Sequence, residues 1–168
     1  MSCLVICGVA VDIGNPVLML EQAFALNDAT TRMKRFNGNP DALSVNQHHN
    51  LCGLIAHAMG KPQSVLDWAD CHDLHEGALG DIISPVKEYI DSDKLRHLEK
   101  VWDIAIAKAT GYPPPTDETY EAVREIDLIS RRIEMEELGM EPDEDLPQVP
   151  KCVDVWGFLN LVKPEGRP

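Results

Sequence analysis

The chain has 168 residues, 44% of them hydrophobic and 26% charged, the range of an ordinary globular domain long enough to fold without disulfides. Aromatics make up only 5%, so the core is aliphatic, which favours helices over a β-sandwich or barrel. The formal charge of −13 repels phosphate backbones and argues against duplex DNA or RNA as main partner, while an anionic small molecule remains open to a site that gathers positive charge or a metal.

In chain order, Leu4-Val5-Ile6 and Val9-Ala10-Val11 flank Cys7-Gly8 and read as a small hairpin or an extended arm. Asn15-Pro16 is a helix start, with Val17–Leu26 following, and a second short helix is expected over Ala29–Arg35 before the turn-rich Asn37-Gly38-Asn39-Pro40. Ser44 caps a third helix, with Leu51, Leu54, Ile55 and Ala58 at helical spacing up to Gly60. A fourth spans Pro62 to Asp73, and Gly80 and Pro85 punctuate the next segment. Asp93 to Ala109 forms a longer helix with Leu95, Leu98, Val101, Trp102 and Ala105 on one stripe and Gly111 as its stop. Thr116 caps another helix, with Val123, Ile126 and Ile133 inward. The fold class is therefore all-α: a domain over 1–139, an acidic, proline-broken linker over 140–150, and a docking helix (Val153 to Val162) with a tail over 151–168.

Five cysteines (Cys3, Cys7, Cys52, Cys71 and Cys152) at irregular spacing read as reduced thiols of a cytoplasmic protein. The apolar opening is not read as a signal peptide, because no Lys or Arg comes before Arg32 and Asp12 cuts the run short. No stretch approaches the ~20 apolar residues of a membrane span, so no membrane partner is expected.

One string concentrates side chains able to do chemistry: His72-Asp73-Leu74-His75-Glu76-Gly77-Ala78-Leu79-Gly80-Asp81, then Pro85-Val86-Lys87. His72 and Asp73 offer an imidazole nitrogen and a carboxylate to one cation. Glu76 lies three residues on, about one helical turn, and can face the same cleft. Asp81 follows a glycine that lets the backbone turn sharply. Upstream stand Arg35-Phe36-Asn37-Gly38 and Ser44-Val45-Asn46-Gln47-His48; downstream, Val123-Arg124-Glu125-Ile126-Asp127.

Taken together, over residues 8–138, these segments resemble the HD-domain phosphohydrolases, in particular the branch of bacterial 5′-deoxynucleotidases and phage deoxynucleotide (dATP) triphosphohydrolases. The shared pattern is Arg-aromatic, Ser-Val-x-x-His, His-Asp-x-x-Glu, Gly-Asp, Pro-x-Lys and a late helical Asp. The resemblance implies an HD-domain helical bundle with His48, His72, Asp73 and Asp127 around one divalent cation. Gln47-His48-His49-Asn50 departs from the family's usual Glu/Gln-His-Ser, so His49 stays a second candidate for the first position. Phe36 stands where tryptophan is commoner.

Two imidazoles and two carboxylates suit Mn, Co, Zn, Fe or Ni better than Mg, which is left a place only at the phosphates. The ion's part is to acidify water and offset charge at phosphorus. The resemblance makes Glu76 the general acid/base and gives Asp81 a place in the active site, aligning water or meeting a sugar hydroxyl. Arg35 is the candidate phosphate fork, Lys87 a second phosphate contact, Phe36 a surface for sugar or base, and His75 a residue within reach of substrate. The implied reaction is hydrolysis of a 2′-deoxynucleotide, slightly favoured as release of triphosphate from a dNTP of the dATP type over release of phosphate from a dNMP. For a viral chain, the compartment is the host cytoplasm. Relatives form dimers or larger rings, which implies a homo-oligomer, a dimer or a hexamer.

Two rivals stand beside it. Gly111-Tyr112-Pro113 spells a signature of cyclic-dinucleotide hydrolases, but it closes a helix beside Pro114 and Pro115, where a turn explains it. A non-catalytic nucleotide-binding or scaffold protein would have no use for Glu76 and Asp81. His57 and His97 read as ordinary surface or core histidines, and Glu134, Glu136 and Glu137, with the acidic linker, as a solvated face and a tether.

Overall fold

Residues 2–82, 84–90 and 92–162 are described by a computed structural model of the chain. The protein is mostly helical with one small two-stranded antiparallel sheet. The residues expected as a tail after 162 lie outside the described ones.

The sheet is a hairpin. β1 (Cys3–Ile6) and β2 (Val9–Asp12) pair with Cys3 opposite Asp12, and both turn residues, Cys7 and Gly8, take positive φ, the two-residue turn whose twist matches paired strands. It is tied to the helices through Gln22 Nε2, which donates to the Ile6 carbonyl (3.3 Å), and through Trp102 Nε1, which donates to that of Ile13 (3.0 Å). All five cysteines are free thiols.

α1 runs Leu20–Arg32, which changes two expectations. It does not start at Pro16, because the Met19 amide donates to Gln22 Oε1 (2.8 Å) and that glutamine, three residues into the helix, sets the start. Nor does it break before Ala29: the Asn27 side chain accepts from Asn46 Nδ2 (2.9 Å) on α3 instead of competing for its own backbone. A short turn, α2 (Arg35–Gly38), follows, with Phe36 and Asn37 at φ of 52° and 58°.

α3 (Val45–Ala58) begins where expected. The Gln47 amide donates to Ser44 Oγ (3.2 Å), the Ser44 amide donates to Gln47 Oε1 (2.8 Å), and Gly60 leaves the helix at positive φ. α4 (Gln63–Ala69) stops four residues short of Asp73, because Cys71 Sγ and His72 Nδ1 take the Asp67 and Ala69 carbonyls from their side chains. Residues 70–75 are thus a turn leading into α5 (Glu76–Leu79), then α6 (Ser84–Tyr89) and α7 (Ser92–Thr110). α8 (Asp117–Glu137) is capped by Thr116, whose Oγ1 accepts from the Thr119 amide (3.2 Å). α9 (Val155–Val162) lies on α3, held by Gln47 Nε2 donating to the Val162 carbonyl (2.6 Å).

The core is mainly aliphatic: Leu51 and Ile55 on α3, Ile106 on α7 and Ile126, Ile129 and Ile133 on α8 are buried in one cluster with Trp102. The acidic stretch over 140–150 is not a free tether. Arg132 donates to the carbonyls of Leu146 and Pro147 (both 2.8 Å), Arg131 pairs with Asp143 (2.9 Å), and Leu146 is buried. Among the described residues, no helix is long and apolar enough to cross a membrane.

Candidate metal centre

Three stretches far apart in sequence meet at one point. α3 contributes His48, the 70–75 turn contributes His72 and Asp73, and α8 contributes Asp127. His48 Nε2 lies 3.3 Å from His72 Nε2, 3.1 Å from Asp127 Oδ1 and 3.8 Å from Asp73 Oδ2, and His72 Nε2 is 3.3 Å from that same Asp73 oxygen. The four side chains expected from the sequence to share a cation are therefore within reach of one. His49 is also buried, with its ring centroid 5.3 Å from that of His72, and with His72 and Asp73 it forms a second candidate group.

The outer atoms of the imidazoles decide which nitrogens face inward. His48 Nδ1 is 2.7 Å from Glu134 Oε1, and His72 Nδ1 is 3.0 Å from the Ala69 carbonyl. An imidazole whose Nδ1–H is donated to a carboxylate or carbonyl is held with Nε2 free to ligate, the usual arrangement around a bound metal. Asp127 Oδ1 is buried, with His48 Nε2 at 3.1 Å and the Arg35 guanidinium at 3.8 Å. Metal bonds of about 2.0–2.1 Å at tetrahedral angles place neighbouring donors roughly 3.3 Å apart, close to the spacings here. The donor set fits a divalent ion.

The electrostatics agree. Burial works against the charged form of His72, but Asp73 beside it outweighs burial and pushes the ring up to about 9. His48 is also raised: burial and Arg35 oppose its charge, and Cys52, Glu134 and Asp127 overcome them. Arg35 is held above its ordinary value against burial by Glu134, Asp127 and Asp73, and its Nε is 3.1 Å from Glu134 Oε2. These carboxylates gather positive charge from whatever source supplies it.

Around the donors opens a cleft of about 460 Å³ lined by Arg35, Phe36, Asp73, Glu76, Asp81, Lys87 and Asp127. Seven of the ten residues singled out from the sequence therefore share one cleft. Arg131, Met140 and Asp143 form another part of its wall. Glu76 is 5% exposed, and burial, then Asp73 and Asp81, push its carboxyl up to about 8; its Oε2 is buried without a partner. Gly80, at positive φ, turns the chain between Glu76 and Asp81 as expected. Lys87 lines the cleft with its ammonium already on Glu99 (2.9 Å). Phe36 carries a left-handed backbone, unusual for a bulky residue, with the Arg35 guanidinium 6.0 Å from its ring centroid.

His75 stands beside the cleft, a ring nitrogen within 4.8 Å of carboxylate oxygens of Asp73 and Glu76, which makes a third candidate group. Its Nδ1 lies 2.9 Å from Asp103 Oδ1, and Tyr120 donates to the other oxygen of Asp103 (3.0 Å). It borders a second cleft of about 540 Å³, which also holds His72, Arg96, Lys100 and Arg124 and meets the first at Asp73 and Asp127.

Sequence reasoning misplaced one residue and missed others. Glu134, expected on a solvated face, is 2% exposed and bonded to His48, Arg35 and Ser130. The signal was available: Asp127, Ser130 and Glu134 stand at i, i+3 and i+7 on the face carrying Val123, Ile126 and Ile133. Asp103 and Tyr120 had no local signal, because their partners come from other elements, whereas Cys52 had one, standing four residues after His48 on the same helix. His57 and His97 are exposed, as expected. No protein-family model matches the chain, and no curated protein matches it either.

Proposed function

We propose that the chain is a metal-dependent phosphohydrolase of 2′-deoxynucleotides built on an HD-type helical bundle. The observation that carries this reading is the convergence of His48, His72, Asp73 and Asp127 beside a buried, proton-holding Glu76. A divalent transition ion held there supplies Lewis acidity, acidifying water and offsetting charge at phosphorus.

The side chains supply the rest. Glu76 holds a proton near neutral pH and releases it readily, the property a group needs to take a proton from water and return one to a leaving oxygen. Arg35 turns a planar fork of donors towards the cleft, suited to phosphate oxygens. Phe36, fixed by its strained backbone, offers a ring to the sugar or base. Two clefts meeting at Asp73 and Asp127 leave room for a nucleoside on one side and a polyphosphate on the other. That geometry favours a dNTP triphosphohydrolase over a dNMP nucleotidase.

The test is a panel of deoxynucleoside mono- and triphosphates, incubated with metal-stripped protein resupplied with Mn, Co, Zn or Mg and analysed for phosphate against triphosphate. Triphosphate release that depends on added ion is expected. Phosphate from monophosphates alone would move the reading to the nucleotidase, and no release from any pair would end it.

A further inference from the structure

The donors around His48 include one that the phosphohydrolase pattern does not use. Cys52 sits four residues after His48 on α3, one turn along the same face, and is fully buried. Its Sγ is 3.5 Å from His48 Nε2, the nitrogen facing the cluster, and 3.9 Å from Nδ1. The ligating atoms of His48, Cys52, His72 and Asp127 all lie within 4.8 Å of one another. A zinc ion on His48 Nε2, with bonds of about 2.0 Å to nitrogen and 2.3 Å to sulfur at a tetrahedral angle, takes its sulfur roughly 3.5 Å from that nitrogen, and a turn of the Cys52 side chain carries Sγ from the ring face to that position at the same distance.

A second observation points to a ligand at the same place. His49 is 1% exposed and both its ring nitrogens lack a hydrogen-bond partner, with its ring against that of His72. Buried polar atoms without partners are costly, and here they border the cluster that contains the thiol.

We propose that Cys52 is a sulfur ligand of the cation held by His48, His72 and Asp127, so that the centre selects a thiophilic ion such as Zn(II) over Mn(II) or Mg(II). On binding, the thiol releases its proton to water and its sulfur lone pair goes to the cation; nothing is oxidised or reduced. Thiolate is a soft donor, and soft donors favour zinc over the harder ions. The inference rests on the metal centre proposed for the phosphohydrolase but not on the reaction assigned to it.

The test adds one equivalent of Co(II) to the full chain carrying Cys3→Ser, Cys7→Ser and Cys152→Ser, which removes the exposed thiols. A thiolate-to-cobalt charge-transfer band in the near ultraviolet is expected, and it should vanish in Cys52→Val, whose apolar side chain has no atom to ligate. Zn(II) preference over Mn(II), measured by competition, should fall on the order of tenfold or more in that variant. Cobalt bound without the band overturns the cysteine as a ligand and leaves the metal centre standing. A band that persists in Cys52→Val places the sulfur elsewhere and overturns the proposal. No cobalt binding overturns both. Should Cys52→Val fail to fold, adding Cys71→Ala to the parent leaves Cys52 as its one thiol: a band that remains supports the ligand, and a band that is lost overturns it.

Discussion

Glu76 and Glu134 are both buried carboxylates within one centre, and their surroundings drive them in opposite directions. Burial opposes the charge on each. Glu134 is nevertheless held below its ordinary range by Arg35 and His48, whereas Glu76, beside Asp73 and Asp81, rises to about 8. The first is a fixed negative brace and the second keeps its proton near neutral pH. A carboxyl raised from 4.5 to about 8 binds a proton in the folded state that the unfolded chain has lost. Its contribution to stability therefore declines as pH climbs through that window. Glu76→Gln should cut turnover by about 10²-fold or more while retaining metal. The metal-free variant should also melt higher than the parent above pH ~8, with the gap closing towards pH ~4.5. Equal melting temperatures across that range would show that Glu76 is not a protonated buried acid.

At the scale of elements, α5 holds Glu76 in place by lying almost backbone to backbone on α1. A Cβ on Gly77 would come 2.6 Å from the Leu26 carbonyl oxygen, which belongs to backbone and has no rotamer to yield. Gly77→Ala should cost about 1–3 kcal/mol by calorimetry and lower kcat by shifting its neighbour, Glu76. An alanine tolerated at unchanged melting temperature would mean that α1 and α5 are not tightly docked.

The sequence made α3, α7 and α8 legible because each carries its own start signal or stop signal: the Ser44–Gln47 box, Gly111 and Thr116. It misled at α1 and α4, where the deciding contacts are tertiary or come from side chains taking carbonyls, as with Asn27–Asn46 and His72–Ala69. The same divide runs through the site. His48, His72, Asp73, Glu76 and Asp127 stood in readable motifs, while Asp103 and Tyr120 act on His75 from helices whose local pattern says nothing of it.

For the whole molecule, the donors join α3, the 70–75 turn and α8, so an ion bound among them links most of the bundle. Ligands that bind only the folded state stabilise it by mass action, about 2.7 kcal/mol at a hundredfold excess over Kd, worth roughly 5–10 °C for a chain of this size. The pH sense comes from His72, pushed up to about 9 by Asp73 despite burial. In metal-free protein, the stability contributed by that raised imidazole is present at low pH and is lost as pH rises through about 9. Metal must displace the same proton, so its apparent affinity grows over the same interval. The difference in melting temperature between zinc-loaded and chelator-treated protein should therefore widen from pH ~6 to pH ~9. A difference that is flat or narrows would place the ion away from His72.

Glu134 spends one oxygen on His48 and the other on Arg35, so a single carboxylate bridges a candidate metal ligand and the guanidinium facing the cleft. An anion that draws Arg35 forward loosens its grip on Glu134 and changes how firmly that carboxylate holds the imidazole. Occupancy of the cleft and occupancy of the cation site are then thermodynamically linked, each altering affinity for the other by the same factor. An ion bound at such a pair would report, through its own tightness of binding, whether a phosphate had arrived.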